Sequence, residues 1–105
     1  MKNCIFCKIA DKKVSADVVA ETDDLIVFKD IKPSAEVHLL IVPKTHIENV
    51  EKVGSDDSGL LIHMIDVAKK LVKKNNIKKY RLIFNGGEYL EVSHLHLHLM
   101  GGELF

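Results

Sequence analysis

The sequence predicts an α+β fold: an antiparallel sheet of about five strands with one long and one short helix, in a single domain over residues 1–105. Three observations predict it. Short β-rich runs alternate with polar turns, a single long stretch carries helical spacing, and 105 residues leave room for one hydrophobic core.

The elements follow in order. Cys4 to Ala10 suits a short helix or turn. Val18 to Glu21 and Leu25 to Phe28 are β-rich and flank Thr22-Asp23-Asp24, which reads as a hairpin whose turn lacks the favoured glycine. Val37 to Val42 is a near-continuous apolar strand stopped by Pro43. Ser55-Asp56-Asp57-Ser58 supplies helix caps and first-turn acids, so a helix is expected from about Asp57 to Asn75. Leu60, Leu61, Met64, Ile65, Ala68, Leu71 and Val72 form its apolar stripe. Lys69, Lys70, Lys73 and Lys74 suit its C-terminal dipole and read as a solvated face. His63, beside core positions, reads as structural or exposed. Arg81 to Phe84 is a strand, Asn85-Gly86-Gly87 a turn, and His94 to Met100 the last strand.

Composition removes several function classes. Hydrophobic residues make up 47% and charged residues 29%, as in a soluble globular protein. The 15 basic and 15 acidic side chains cancel, so no basic surplus speaks for nucleic-acid binding. No apolar stretch reaches membrane-spanning length. Met1-Lys2-Asn3 runs straight into Cys4-Ile5-Phe6-Cys7 without the apolar core of a signal peptide, so the expected location is cytoplasmic, with both cysteines reduced.

The chemistry concentrates in His94-Leu95-His96-Leu97-His98-Leu99. In a strand, alternate side chains share a face, so three imidazoles would line one side and three leucines the other. Stability alone gives no reason to align three titratable rings. Imidazole serves near neutral pH as nucleophile, acid, base or metal ligand. One reading is nucleophilic attack at phosphorus through a phosphohistidine, with neighbouring rings and His38 donating to phosphate oxygens or protonating the leaving group. The plainer readings are a metal-binding patch or an incidental cluster. Cys4-x-x-Cys7 is open between a redox pair, half of a zinc site and two buried small side chains, with His46, His94 and His38 as candidate partners.

Together these pieces resemble the histidine triad (HIT) proteins, most closely the Hint branch. The triad motif is matched by His94-Leu95-His96-Leu97-His98-Leu99-Met100. Phe28-Lys29-Asp30-Ile31-Lys32-Pro33 resembles the family's ribose-binding segment, and Val37 to Ile47 its central strand and following turn. Cys4 to Ile9 is similar to the N-terminal segment of zinc-containing bacterial-type members, and Gly101-Gly102 is typical of the Hint branch.

The resemblance implies that His96 is the nucleophile, with His98 and His38 contacting phosphate or assisting leaving-group protonation. It implies that Asp30 binds the ribose hydroxyls and that Phe6, Ile9, Phe28 and Ile31 wall the base, although these apolar residues would also suit ordinary core. Asn85, Glu91 and Val92 are placed at the nucleotide, and Cys4, Cys7, His46 and His94 would ligate a structural zinc, with no cofactor needed for catalysis. Leu90-Glu91 stands where members usually carry Gln followed by Ser or Glu, and Leu90 cannot donate a hydrogen bond. The stretch from Asn85 to His94 is a little short, and the chain stops at Phe105 where many Hint proteins continue into a tail.

The expected function is a purine nucleoside phosphoramidase, cleaving P–N bonds of nucleoside 5′-monophosphate derivatives such as AMP-amines or lysyl-AMP, with AMP or GMP as the bound nucleotide and a homodimer as the assembly. The alternatives are a dinucleoside polyphosphate hydrolase or nucleotidyl transferase of the same superfamily, and a nucleotide-binding scaffold with little turnover. Neither nucleic acid nor membrane is expected as a partner.

Overall fold

The computed structural model describes residues 3–105; Met1 and Lys2, which open the run read as lacking a leader, lie outside the described residues. Helix α1 covers Ile5–Ala10, β1 Val18–Glu21, β2 Leu25–Lys29, β3 Ala35–Pro43, α2 Ser58–Lys74, β4 Tyr80–Ile83 and β5 Leu97–Leu104. Short 3₁₀ turns sit at Val50–Lys52, Ser55–Asp57 and Gly87–Tyr89. The five strands form one antiparallel sheet in the order β1-β2-β3-β5-β4. No helix among the described residues is long and apolar enough to cross a membrane.

Period-two alternation sorts the strands onto two faces. Leu25, Val27, Leu39, Ile41, Leu97 and Leu99 face α2, which supplies Met64, Val67, Ala68 and Leu71. Ile26, Phe28, Leu40 and Val42 face the other way, against Cys4, Phe6, Cys7 and Ile9 of the α1 segment. Each fully buried aliphatic side chain contributes roughly 1.5–3 kcal/mol. Helix α1 is far smaller than α2, so it covers only part of its face and leaves the rest open beside β3 and β5.

The hairpin turn replaces glycine with a side chain. Leu25 N–H donates to Thr22 Oγ1 at 3.0 Å, and the Thr22 hydroxyl donates to Asp24 Oδ1 at 2.9 Å. Helix α2 ends where Asn76 takes φ +53, a left-handed exit that asparagine tolerates. Its stripe is rotated from the expectation: Val67 is buried while Ile65 is exposed. The lysine cluster is exposed, and His63 pairs with Asp24 at 2.9 Å on the surface.

One strand is corrected. β5 runs from Leu97 to Leu104, not from His94 to Met100. At its start, Leu95 N–H donates to Ile47 O at 2.6 Å and His94 N–H to Val92 O at 2.8 Å, so this stretch leaves the β3 ladder. At its end, Gly101-Gly102 lies inside the strand. Gly102 has φ +76, and a Cβ there would lie 2.6 Å from Glu36 Oε1. That oxygen accepts from Glu103 N–H across an irregularity in the β3–β5 register.

Candidate active site and metal cluster

The uncovered part of the α1 face is a cavity of about 1120 Å³. Its lining includes Phe6, Ile9, Phe28, Asp30, Ile31, Asn85, Glu91, Val92, His96 and His98, whereas His38, expected at the phosphate, is not part of that lining and stands behind His98 at 2.8 Å. Phe6 and Phe28 meet edge to face at 5.4 Å. Phe6, Ile9 and Phe28 are buried and serve as core as well as wall, whereas Ile31 is 94% exposed at the rim, where ordinary core packing does not account for it. Leu90 is not among the lining residues; Glu91 and Val92 occupy that edge.

The altered start of β5 splits the three histidines. His94 turns into a cluster with Cys4, Cys7 and His46, while His96 and His98 stay beside the cavity with ring centroids 4.8 Å apart. All three imidazoles still share the α1 face, with Leu95 and the β5 leucines Leu97 and Leu99 in the α2-side core, but the first serves the cluster and the other two the cavity.

Hydrogen bonds fix the tautomers in the cavity. The backbone N–H of Ser34 donates to His38 Nδ1 at 2.9 Å, so the His38 proton sits on Nε2. That proton reaches His98 Nδ1 at 2.8 Å, which leaves the His98 proton on Nε2. The Asn85 amide nitrogen stands 3.2 Å from His98 Nε2; two donors cannot pair, so the consistent assignment turns the amide over and lets its oxygen accept there. His98 therefore presents a donor. His96 is the opposite case: its Nδ1–H donates to the His94 carbonyl at 2.7 Å, which leaves Nε2 with a free lone pair.

Electrostatics keep the supporting pair neutral. Burial, reinforced by His96 and His38, pushes His98 down to about 4, with Asp30 opposing. Burial likewise lowers His38. The Asp30 carboxylate lies 3.4 Å from His38 Nε2, and its other oxygen accepts from Lys32 N–H at 2.9 Å.

Among the described residues, two groups of side chains converge closely enough to bind a cation. Asp30, His38 and His98 do not fit one, because Ser34 donates to His38 Nδ1 and leaves a proton, not a lone pair, on Nε2. The second group fits. His94 Nε2–H donates to the Pro43 carbonyl at 2.7 Å, which turns a lone pair on Nδ1 towards the sulfurs. His94 Nδ1 lies 3.2 Å from Cys4 Sγ, 3.5 Å from Cys7 Sγ and 3.1 Å from His46 Nδ1. Cys7 Sγ lies 3.3 Å from His46 Nδ1. Bonds of about 2.3 Å to sulfur and 2.0–2.1 Å to nitrogen at tetrahedral angles put ligand atoms roughly 3.3–3.8 Å apart, close to this set. Burial, with Cys4 beside it, pushes the Cys7 thiol above its usual value; a bound cation reverses that preference.

Two contributors escaped the sequence reading: the backbone N–H of Ser34 and the carbonyl of Pro43. Main-chain groups carry no sequence signal. Leu40, a further lining residue, was findable, because it follows His38 at period two on β3.

Residues 3–104 match the family described as "Scavenger mRNA decapping enzyme C-term binding". The chain is 39% identical over 102 residues to adenosine 5′-monophosphoramidase HINT3 of Xenopus tropicalis, covering 93% of this chain and 67% of that protein. It is 38% identical to protein HitA of Neisseria gonorrhoeae, covering 96% and 97%. Among solved structures, a HIT family hydrolase from Legionella pneumophila Philadelphia 1 superimposes with a TM-score of 0.93 at 46% identity, covering 96% of this chain and 94% of that one.

Proposed function

The chain belongs to the histidine triad family, and from that premise we propose that it is a nucleoside phosphoramidase acting on purine nucleoside 5′-monophosphate derivatives. The observation that carries the reading is the opposed pair of tautomers: an imidazole lone pair on His96 beside an imidazole N–H on His98. His96 Nε2 attacks the α-phosphorus and forms a P–N bond to the ring. The substrate's P–N bond breaks, and the amine departs with a proton. Water then attacks phosphorus, the bond to His96 breaks, and AMP or GMP leaves. His98 donates to the phosphoryl oxygens or the leaving nitrogen, held in that tautomer by His38. Asp30 takes the ribose hydroxyls, Phe6, Ile9, Phe28 and Ile31 hold the base, and Asn85, Glu91 and Val92 border the phosphate end.

The name of the Xenopus relative supports a P–N substrate over a polyphosphate one. The test is a panel of AMP-amines, lysyl-AMP and a dinucleoside polyphosphate. Turnover of the amines with a trapped nucleotidyl-His96 is expected. Preference for the polyphosphate moves the protein to the hydrolase alternative, and AMP binding without turnover of any of them makes it a scaffold.

The metal proposed at Cys4, Cys7, His46 and His94 is zinc. Four protein ligands leave no open coordination position, so its contribution is to fix the cluster and not to meet substrate. Metal analysis should find zinc at one atom per chain in the wild type and loss of it in Cys4→Ser; equal content in both removes these ligands. A homodimer is proposed across α2 and the edge strand β4, where Ile62, Ile65, Tyr80 and Leu82 are exposed. A sedimentation mass of one chain removes it. The cytosol is the proposed location, where both thiols stay available as ligands.

A further inference from the structure

His94 faces two sites at once. Its ring contributes Nδ1 to the metal cluster, and its main-chain carbonyl accepts the Nδ1–H of His96. The ring is fully buried and fastened at its far side by the Pro43 carbonyl. Phe6 bridges the same pair from the α1 side, edge-on to His94 at 5.9 Å and to His96 at 5.1 Å. Cys4 and Cys7 flank Phe6 on that segment, and Cys4 Sγ accepts the Cys7 N–H at 3.4 Å at the start of α1. The path from cluster to cavity is thus a single residue long.

We propose that His94 is a positioning residue through which the metal cluster sets the competence of the nucleophile: ring anchored among the metal ligands, carbonyl holding the His96 proton on Nδ1. The inference rests on the reading of His96 as nucleophile. Its physical basis is the choice of tautomer. An imidazole whose Nδ1–H loses its acceptor can place that proton on Nε2 instead, and the lone pair then points away from phosphorus. His46 Nδ1 and His94 Nδ1 converge to 3.1 Å beside the two sulfurs, so removing a cation from this set would leave protons and lone pairs to compete for the same space. Relaxing that competition moves the His94 ring and, with it, the carbonyl on the same residue. Loss of partners around a metal ligand typically costs 10–100-fold, and a 1 Å misplacement of reacting groups costs a similar factor.

The test compares the zinc-loaded wild type, the same protein after chelation, and His46→Gln. His46→Gln weakens the cluster from the segment after β3 and leaves the His94 carbonyl untouched. Nitrogen-15 NMR of the His96 ring reads the tautomer without any turnover. In the loaded protein the proton should sit on Nδ1; in the metal-poor forms the ring should show mixed tautomers. Single-turnover formation of nucleotidyl-His96 from saturating AMP-amine should slow about 10–100-fold in step with zinc occupancy and return when zinc is restored. Saturation removes any change in binding that a loosened α1 brings. A folded metal-free protein with unchanged tautomer overturns the proposal, and so does one with unchanged adduct rate. Global unfolding on chelation, seen by circular dichroism, also overturns it in favour of a metal that only holds the fold. If even the loaded protein forms no adduct, the phosphoramidase reading fails, while the NMR comparison still judges the link between cluster and ring.

Discussion

His96→Ala should abolish turnover of AMP-amines, with kcat falling on the order of 10⁴-fold or more, while AMP still binds. The size of the expected loss follows from the tautomers. His98 is the nearest imidazole, yet its Nδ1 accepts from His38 and its Nε2 carries a proton, so it has no lone pair to offer phosphorus. His38 has the same defect: its Nδ1 is occupied by the Ser34 N–H and its Nε2 by its own proton. Neither ring can substitute as nucleophile without breaking the hydrogen bonds that hold it. Direct attack by water would need a base, and burial keeps both rings weak ones. His98→Ala should be milder, about 10²–10⁴-fold, because it removes a donor and leaves the nucleophile. Intact-mass measurement during turnover distinguishes the two variants: no adduct for His96→Ala, a slowly formed adduct for His98→Ala. Wild-type turnover by His96→Ala, or an adduct mapped to His98, contradicts the assignment.

Side chains told most of this in advance; main-chain groups did not. The near-continuous apolar run of Val37 to Val42 and the helical spacing from Leu60 to Leu71 placed β3 and α2 within a few residues, because a strand buried on both faces reads as an unbroken run and a helix packed on one side reads as a stripe. Thr22 could stand in for the missing hairpin glycine through its hydroxyl, so that hairpin formed where the β-rich runs put it. The triad run disclosed the cavity histidines, and its alternation of faces held through His94 even though that residue lies outside β5. Four contacts hold that residue off the ladder, through its N–H, its carbonyl and both ring nitrogens. Three of the four partners are distant in sequence or main-chain atoms, and alternation of hydrophobicity is blind to both. The far end of β5 was misjudged for a related reason. The expected strand ended at Met100, yet Gly101 and Gly102 let it continue past Ile77 and Glu36, where a Cβ would collide.

Acidification from pH 7 to pH 4 should destabilise the fold well before the carboxylates titrate. In the unfolded chain a histidine takes its proton near pH 6.5. In the folded protein burial holds His98 down to about 4 and lowers His38 as well. Between those limits the unfolded state binds more protons than the native one, so stability rises with pH across the window. The contribution is fully present above about 6.5 and is lost as pH falls towards the folded values. Each differential proton adds about 1.4 kcal/mol per pH unit to the slope. The groups facing this pair are Asp30, His96, Asn85 and the Ser34 N–H; among them only Asp30 favours protonation, and it does not outweigh burial. Glu21, held below the usual carboxylate range by hydrogen bonds from Lys12 and Lys44, acts in the same direction at lower pH, which separates the two effects. Urea denaturation at intervals between pH 7 and 4 reads the slope. His38→Gln combined with His98→Asn should reduce it between pH 6.5 and 5, leaving the part that buried His94 contributes, even if the variant starts from lower stability. A wild-type profile already flat in that interval would mean that these rings titrate as freely in the fold as in the open chain, and that the neutral donor assigned to His98 is wrong.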